Sequence, residues 1–151
     1  MGHKIDEKDR MIINILRKNA RISYADIAKK MGMKSPSVIE RIKRLENEGI
    51  ISDYNISVDY KALGYDILAF IGVYIDNAEH IEEFENTLNT QLEEVVGCHH
   101  VTGEYTMILK VATKNTETLS DMIKKLRDMP GVTKTNTMIV FSTIVERSRP
   151  V

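Results

Sequence analysis

Cysteine is almost missing from this 151-residue chain, which carries only Cys98. One thiol closes no internal disulfide, and such usage fits a reducing compartment. Long apolar runs are missing too. None approaches the roughly 20 residues that cross a bilayer. The opening Met1-Gly2-His3-Lys4-Ile5-Asp6 has neither the apolar region of a secretion signal nor the Ser or Thr of a myristoylation signal, and Gly2 and His3 also fit a cloning remnant. These absences lead to the expectation of a cytoplasmic protein with no membrane partner. Catalytic signatures are lacking as well: no nucleophile stands beside a base, no glycine loop cradles phosphate, and no pair of carboxylates has a defended spacing. The sequence therefore reads as a non-enzyme without catalytic residues or a cofactor. Cys98-His99-His100, with Glu104 nearby, offers zinc-ligand types. Strand alternation puts Cys98 and His100 on one side and His99 on the other, and no second cluster completes a tetrahedral site. No metal is expected; Cys98 reads as a small buried residue and the histidines as surface or interface residues.

What is present suffices for a packed interior, since 42% of the residues are hydrophobic. The formal net charge of −1 hides an asymmetry. Residues 1–64 carry 13 Lys/Arg against 9 Asp/Glu, whereas residues 65–151 carry 8 against 13. One half is thus suited to a polyanion and the other is not.

The basic half shows helical punctuation. Asp6 caps a helix over about Glu7 to Lys18, with Met11, Ile12, Ile15 and Leu16 on its apolar face. Ser23 caps a second, with Asp26 as the capping-box acid, Ile27, Ala28 and Met31 as the stripe, and Gly32 as the stop. Ser35 is the expected cap of a third, with Pro36 at its first position, Val38, Ile42 and Leu45 facing a core, and Gly49 ending it. Ser37, Glu40, Arg41 and Arg44 then look away from that core. Helices two and three make a helix-turn-helix, and Ile50 to Val58, with a reversal at Asp53-Tyr54-Asn55, has the composition of a wing hairpin.

Tyr60 to Asp66 interrupts the periodicity and holds the charge switch, so the expected domains are 1–62 and 63–151. The second half reads β-α-β-β-α-β. Its elements are a strand at Ile67 to Ile75, a helix at His80 to Glu94 broken by Gly97, strands at Cys98 to Thr102 and Thr106 to Ala112, a helix around Leu119 to Met129 ended by Pro130-Gly131, and a last strand region from Val132 to Glu146. This order is the ferredoxin-like arrangement, an antiparallel sheet with both helices on one side, so the fold class is α+β. In the first strand Ile67, Ala69, Ile71, Val73 and Ile75 form one face, yet Leu68, Phe70 and Tyr74 make the other nearly as apolar. Helices cover only one face, and the second needs a partner. A homodimer through this sheet is expected, presenting two helix-turn-helix units to two half-sites.

With both halves read, the chain resembles the Lrp/AsnC, or feast/famine, family over nearly its full length. Ile5-Asp6-Glu7-Lys8-Asp9-Arg10 with Ile13, Leu16 and Asn19-Ala20-Arg21-Ile22-Ser23 is similar to the family's opening. Ser35-Pro36-Ser37-Val38 with Arg41 to Glu46 and Gly49-Ile50-Ile51 resembles its recognition helix, and Val101-Thr102-Gly103-Glu104-Tyr105 its turn signature. The resemblance implies a DNA-binding transcription regulator with a winged helix-turn-helix and a ferredoxin-like (RAM/ACT-like) module. That module dimerises, commonly builds an octamer, and often binds an amino-acid effector between dimers. Thr106 stands where the family usually has Asp.

The residues expected to meet double-stranded DNA are Ser35 and Ser37 at the third helix's start, Lys34, Arg41, Lys43 and Arg44 as its charges, and Arg21 and Tyr24 at the entry of the second helix. Glu40 would pair with Arg44 one turn on or accept from a cytosine. For the effector the candidates are Gly103, Glu104, Tyr105 and Thr106 in the turn, Glu104 holding an α-amino group, with Thr133, Thr135, Asn136 and Thr137 from a neighbouring subunit. A second reading keeps the oligomeric ligand-sensing module but makes its helix-turn-helix a surface for protein contacts.

Overall fold

A computed structural model describes residues 5–146 of the chain. It forms two compact units that divide between Ser57 and Val58, ahead of the expected boundary at residue 62. The reason is local. Tyr60 to Gly64 is a turn closed by Leu63 and Tyr65 amides donating to the Tyr60 carbonyl, and the Tyr60 and Tyr65 rings meet edge to face at 6.4 Å. The segment read as a linker is therefore the entry of the second unit.

The first unit consists of α1 (Glu7–Lys18), α2 (Tyr24–Met31) and α3 (Ser35–Asn47). Asp6 caps α1 by accepting from the Asp9 amide, and Asp9 returns the bond by accepting from the Asp6 amide, a capping box built from two aspartates. Ser23 caps α2 by accepting from the Asp26 amide, while its own hydroxyl donates to the Asp26 carboxylate. Gly32, at φ 62°, ends α2 in the left-handed region that glycine enters without penalty. The expected cap of α3 is displaced by one residue. Lys34 holds the cap position, its carbonyl accepting from the Ser37 and Val38 amides, and makes no side-chain cap bond because its ammonium offers no acceptor; Ser35 opens the helix. Ile12, Leu16, Ile27, Ala28, Val38, Ile42 and Leu45 close a core among the three helices. Each large aliphatic side chain fully buried there stabilises the unit by about 1.5–3 kcal/mol.

The wing hairpin is not formed. No strand is assigned between Ile50 and Asp66. The Ile50 and Ile51 amides close α3 on the Leu45 carbonyl, and Tyr54 donates its hydroxyl to Glu46 at 2.7 Å, so the tyrosine read as the tip of a reversal is anchored to α3. Beyond it Ile56 is 83% exposed.

The second unit has the order β1 (Ile67–Ile75), α4 (Ala78–Gln91), β2 (Val95–His100), β3 (Met107–Thr113), α5 (Thr116–Asp128) and β4 (Val132–Ile139), with sheet order β2-β3-β1-β4 and every neighbour antiparallel. Asn77 and Asn115 cap the helices, which moves the start of α4 two residues ahead of His80. Gly97 lies within β2, at an irregular register, rather than ending a helix. The last strand stops at Ile139, which pairs with Ala69, and the Val140 amide makes the final bond to the Leu68 carbonyl. Phe141 and Ile144, expected inside this strand, are exposed. Ala69, Ile71, Val73, Leu109 and Val111 pack with Phe84, Leu88, Leu119, Met122 and Leu126 to form a core between the sheet and both helices. The opposite sheet face carries Phe70, Tyr74 and Met138 at 38%, 45% and 46% exposure, with no element covering it in the single chain.

Candidate DNA-binding and ligand-binding sites

In the first unit the two-helix motif is held by the apolar spacing of α2 and α3, and what remains outside is an exposed stripe of α3. Pro36, Ser37, Glu40, Lys43 and Asn47 are exposed, with Lys34 at the cap and Ser35 half-buried in the first turn. Here the helix presents free N–H groups, hydroxyls and a partial positive charge. Arg21 and Tyr24 are exposed at the entry of α2. Among the described residues Lys34 and Lys43 make no ion pair.

Arg41 and Arg44 lie elsewhere than expected. Arg41 Nη1 donates to Asp6 Oδ2 at 2.7 Å and to Asp9 Oδ1 at 2.7 Å, and Arg44 Nη2 donates to Asp9 Oδ2 at 2.6 Å. Asp9 is wholly buried. Both guanidinium groups are thus turned to the first turn of α1, each side chain less than a third exposed. The physical reason is the cost of a buried carboxylate, which is offset only by close cations and hydrogen bonds. Asp6 is held at a pKa of about 2, chiefly by the Asp9 amide and then by Arg41, and the two carboxylates raise the pKa of Arg41 in turn. The Arg44–Glu40 pair is not made, since Arg44 reaches Asp9 instead and Glu40 stays exposed. Asp6 and Asp9 escaped the sequence reading as partners of α3. Arginines one turn apart on the same helix side as a buried acid were the available signal.

In the second unit the turn between β2 and β3 lies against the open sheet face. Gly72, mid-strand in β1, leaves room for Tyr105: a Cβ there would stand 2.8 Å from the ring. Lys134 Nζ sits 5.7 Å from the centre of that ring and 2.5 Å from Glu104 Oε1. The Glu104 carboxylate also raises the pKa of Lys134. Lys134 was absent from the expected set, and Glu104 is already paired rather than awaiting an ammonium group.

Thr106 joins the ladder. Its amide donates to the Val73 carbonyl at 2.9 Å, and its hydroxyl accepts from the Ile75 amide at 3.0 Å and faces the Ile75 carbonyl at 3.4 Å. A hydroxyl both donates and accepts there, whereas an ionised Asp only accepts. Gly103, at φ 119°, makes the turn.

The four β4 candidates do not converge. Asn136 stands opposite Gly72 on the open face, whereas Thr135 and Thr137, opposite Val73 and Ile71, lie on the helix side. There Thr135 accepts from Arg127 Nε at 2.9 Å. Thr133 falls at the register shift beside Tyr74 and Ile75. Cys98, read as buried, is exposed at the β2 edge, and its pKa is raised, first by partial desolvation of the thiol and then by Glu85. No group of three metal-ligating side chains is present among the described residues.

Residues 68–150 match the model of the Lrp/AsnC ligand binding domain, and residues 5–52 match a winged helix-turn-helix DNA-binding model. The chain belongs to the Lrp/AsnC family. It is 37% identical to the HTH-type transcriptional regulator FL11 of Pyrococcus abyssi, over 95% of this chain and 93% of that one. Among solved structures it is similar to E. coli AsnC, with TM-score 0.89 and 31% identity over 99% of this chain and 100% of that one. It also shares its fold with a Neisseria meningitidis transcriptional regulator solved in complex with L-Met, at TM-score 0.90 and 22% identity over 96% and 95%. This Lrp/AsnC protein is a DNA-binding transcriptional regulator and not an enzyme. Among the described residues no helix is long and apolar enough to cross a membrane.

Proposed function

We propose that this regulator acts in the cytoplasm as a homodimer that docks the exposed stripe of α3 on double-stranded DNA and responds to an amino acid held at the Glu104–Tyr105–Lys134 turn. Exposed Lys34 beside Ser35 and Ser37 at the start of α3, and exposed Lys43 further along the helix, neither in an ion pair among the described residues, carry the DNA reading. Phosphate contacts by Lys34, Lys43, Arg21 and Tyr24 supply affinity, and Ser37 and Asn47, exposed on the same helix, read base edges. The paired Glu104 and Lys134 have the two charges that complement a zwitterion, and the family model over this unit is that of a ligand-binding domain. Thr106 leaves no carboxylate in the ladder position, so the ammonium partner is Glu104, released from Lys134 as the ligand carboxylate takes the lysine. The open face with Phe70, Tyr74 and Met138 pairs two copies, and four such dimers give an octamer.

The test is a gel-shift series with the full chain and the DNA upstream of its own coding sequence. Binding that strengthens steeply as salt falls is expected. Its absence with folded protein would overturn the DNA reading in favour of a helix-turn-helix that contacts protein. A thermal-shift panel of L-amino acids tests the effector, since a ligand of the native state raises the midpoint by mass action. No response to any of them removes this part.

A further inference from the structure

The cluster that joins α1 to α3 does more than fill the unit's interior. Two arginines of the reading helix meet one wholly buried carboxylate, and a second carboxylate at the cap of α1 takes the other side of Arg41. Arg44 Nε is also buried, and no hydrogen-bond partner satisfies it. These guanidinium groups are neutralised and partly desolvated, and a phosphate would draw them away only by leaving the Asp9 charge buried and alone. Lys34 and Lys43 carry no such restraint and stand exposed on the same motif.

We infer that Asp9 is a specificity-determining residue of DNA recognition, acting through Arg41 and Arg44, which it holds off the phosphates so that α3 meets DNA through a face of low charge. This inference rests on the reading that α3 docks on DNA. Affinity that comes from phosphates alone is blind to sequence, so each arginine withheld lowers binding to arbitrary DNA and leaves the discrimination to Ser37 and Asn47. Asp9 is a positioning residue and touches no DNA itself. The same bonds fix the axial rotation of α3 against α1, since two successive turns of α3 are tied to one point.

The experiment measures binding of the full chain to a mixed-sequence duplex across a salt series. Its readout is the slope of log affinity against log salt, which a merely structural role would not move. Lys43→Gln flattens the slope by ~0.9, the value for one lost phosphate contact. Arg41→Gln leaves it at the wild-type value. Asp9→Asn frees Arg44, while Asp6 still holds Arg41, and steepens it by ~1, tightening binding to mixed sequence while the preference for the protein's own upstream DNA falls. Glu7→Gln removes the same charge from the same turn without freeing the arginines, and leaves the slope unchanged.

An Arg41→Gln slope that flattens as much as that of Lys43→Gln overturns the inference, and so does a folded Asp9→Asn protein with the wild-type slope. Where Asp9→Asn does not fold, the pair of Gln variants decides alone. If neither Gln variant moves the slope, α3 does not dock on DNA and both readings fall.

Discussion

The two units differ in how far each finishes itself. In the first, three helices bury their apolar faces on one another, and two arginines of α3, Arg41 and Arg44, find partners inside the unit. In the second, four strands cover one face with two helices and leave the other apolar and bare, with Phe70, Tyr74 and Met138 on it. A finished unit presents a surface, whereas an unfinished one requests a partner. On the proposed reading, this difference divides the labour of the regulator: the helical unit carries the reading face, and the sheet unit sets how many such faces act together.

The largest effects come from the cores. Phe84→Ala in the second unit costs about 3–5 kcal/mol, and Leu45→Ala in the first about 2–5 kcal/mol. Each unit has its own core, so amide exchange should quicken in the mutated unit and hold its protection in the other. Protection lost equally in both would break the comparison. Next comes Phe70→Glu on the open face, where Lys110 and Met138 are its cross-strand neighbours. It weakens self-association by ~30-fold or more, as loss of a central apolar anchor does, with the monomer fold retained by circular dichroism. Gly72→Ala drives a methyl into the Tyr105 ring and costs about 1–3 kcal/mol. Amino-acid binding should weaken as the ring is displaced, and calorimetry on the variant reads it.

The smallest effect is a pH dependence in the second unit. His80 Nδ1 lies 2.7 Å from Asp76 Oδ1, and that bond raises the His80 pKa above its ordinary 6.5. A raised histidine contributes stability that is full below the unfolded pKa near 6.5 and is lost as pH rises through the higher folded value. The exposed site keeps it small. Asp76→Asn should bring the His80 titration, followed by NMR, back toward 6.5, and an unmoved titration would show that the contact is not made in solution.

Much of the fold was legible because apolar spacing and caps agree. Residues 7–18 and 67–75 fall where periodicity puts them, since Asp6 caps one helix and β1 lies at the sheet centre with both edges paired. The misreadings share a cause. Tyr54 and the residues after Ile139 have strand composition, but composition cannot say how far a ladder runs, and in the single chain Tyr54 has none and β4's ends at the Val140 amide. The site was legible as a set of charges and illegible as their pairing. Arg41 and Arg44 have the spacing of a basic face, and only the fold shows that Asp9, 32 and 35 residues away, takes them. Lys134 was hidden for the same reason, its partner Glu104 being brought near by the antiparallel pairing of β1 with both β3 and β4 rather than by sequence.

The most direct test of this division is the mass of the full chain by sedimentation equilibrium, at micromolar concentration and near-physiological salt. A dimer, twice the chain's 17.2 kDa, or an even multiple of it is predicted, with Phe70→Glu returned to a single chain and binding its upstream DNA more weakly. A folded wild-type protein that sediments as a monomer would contradict the account.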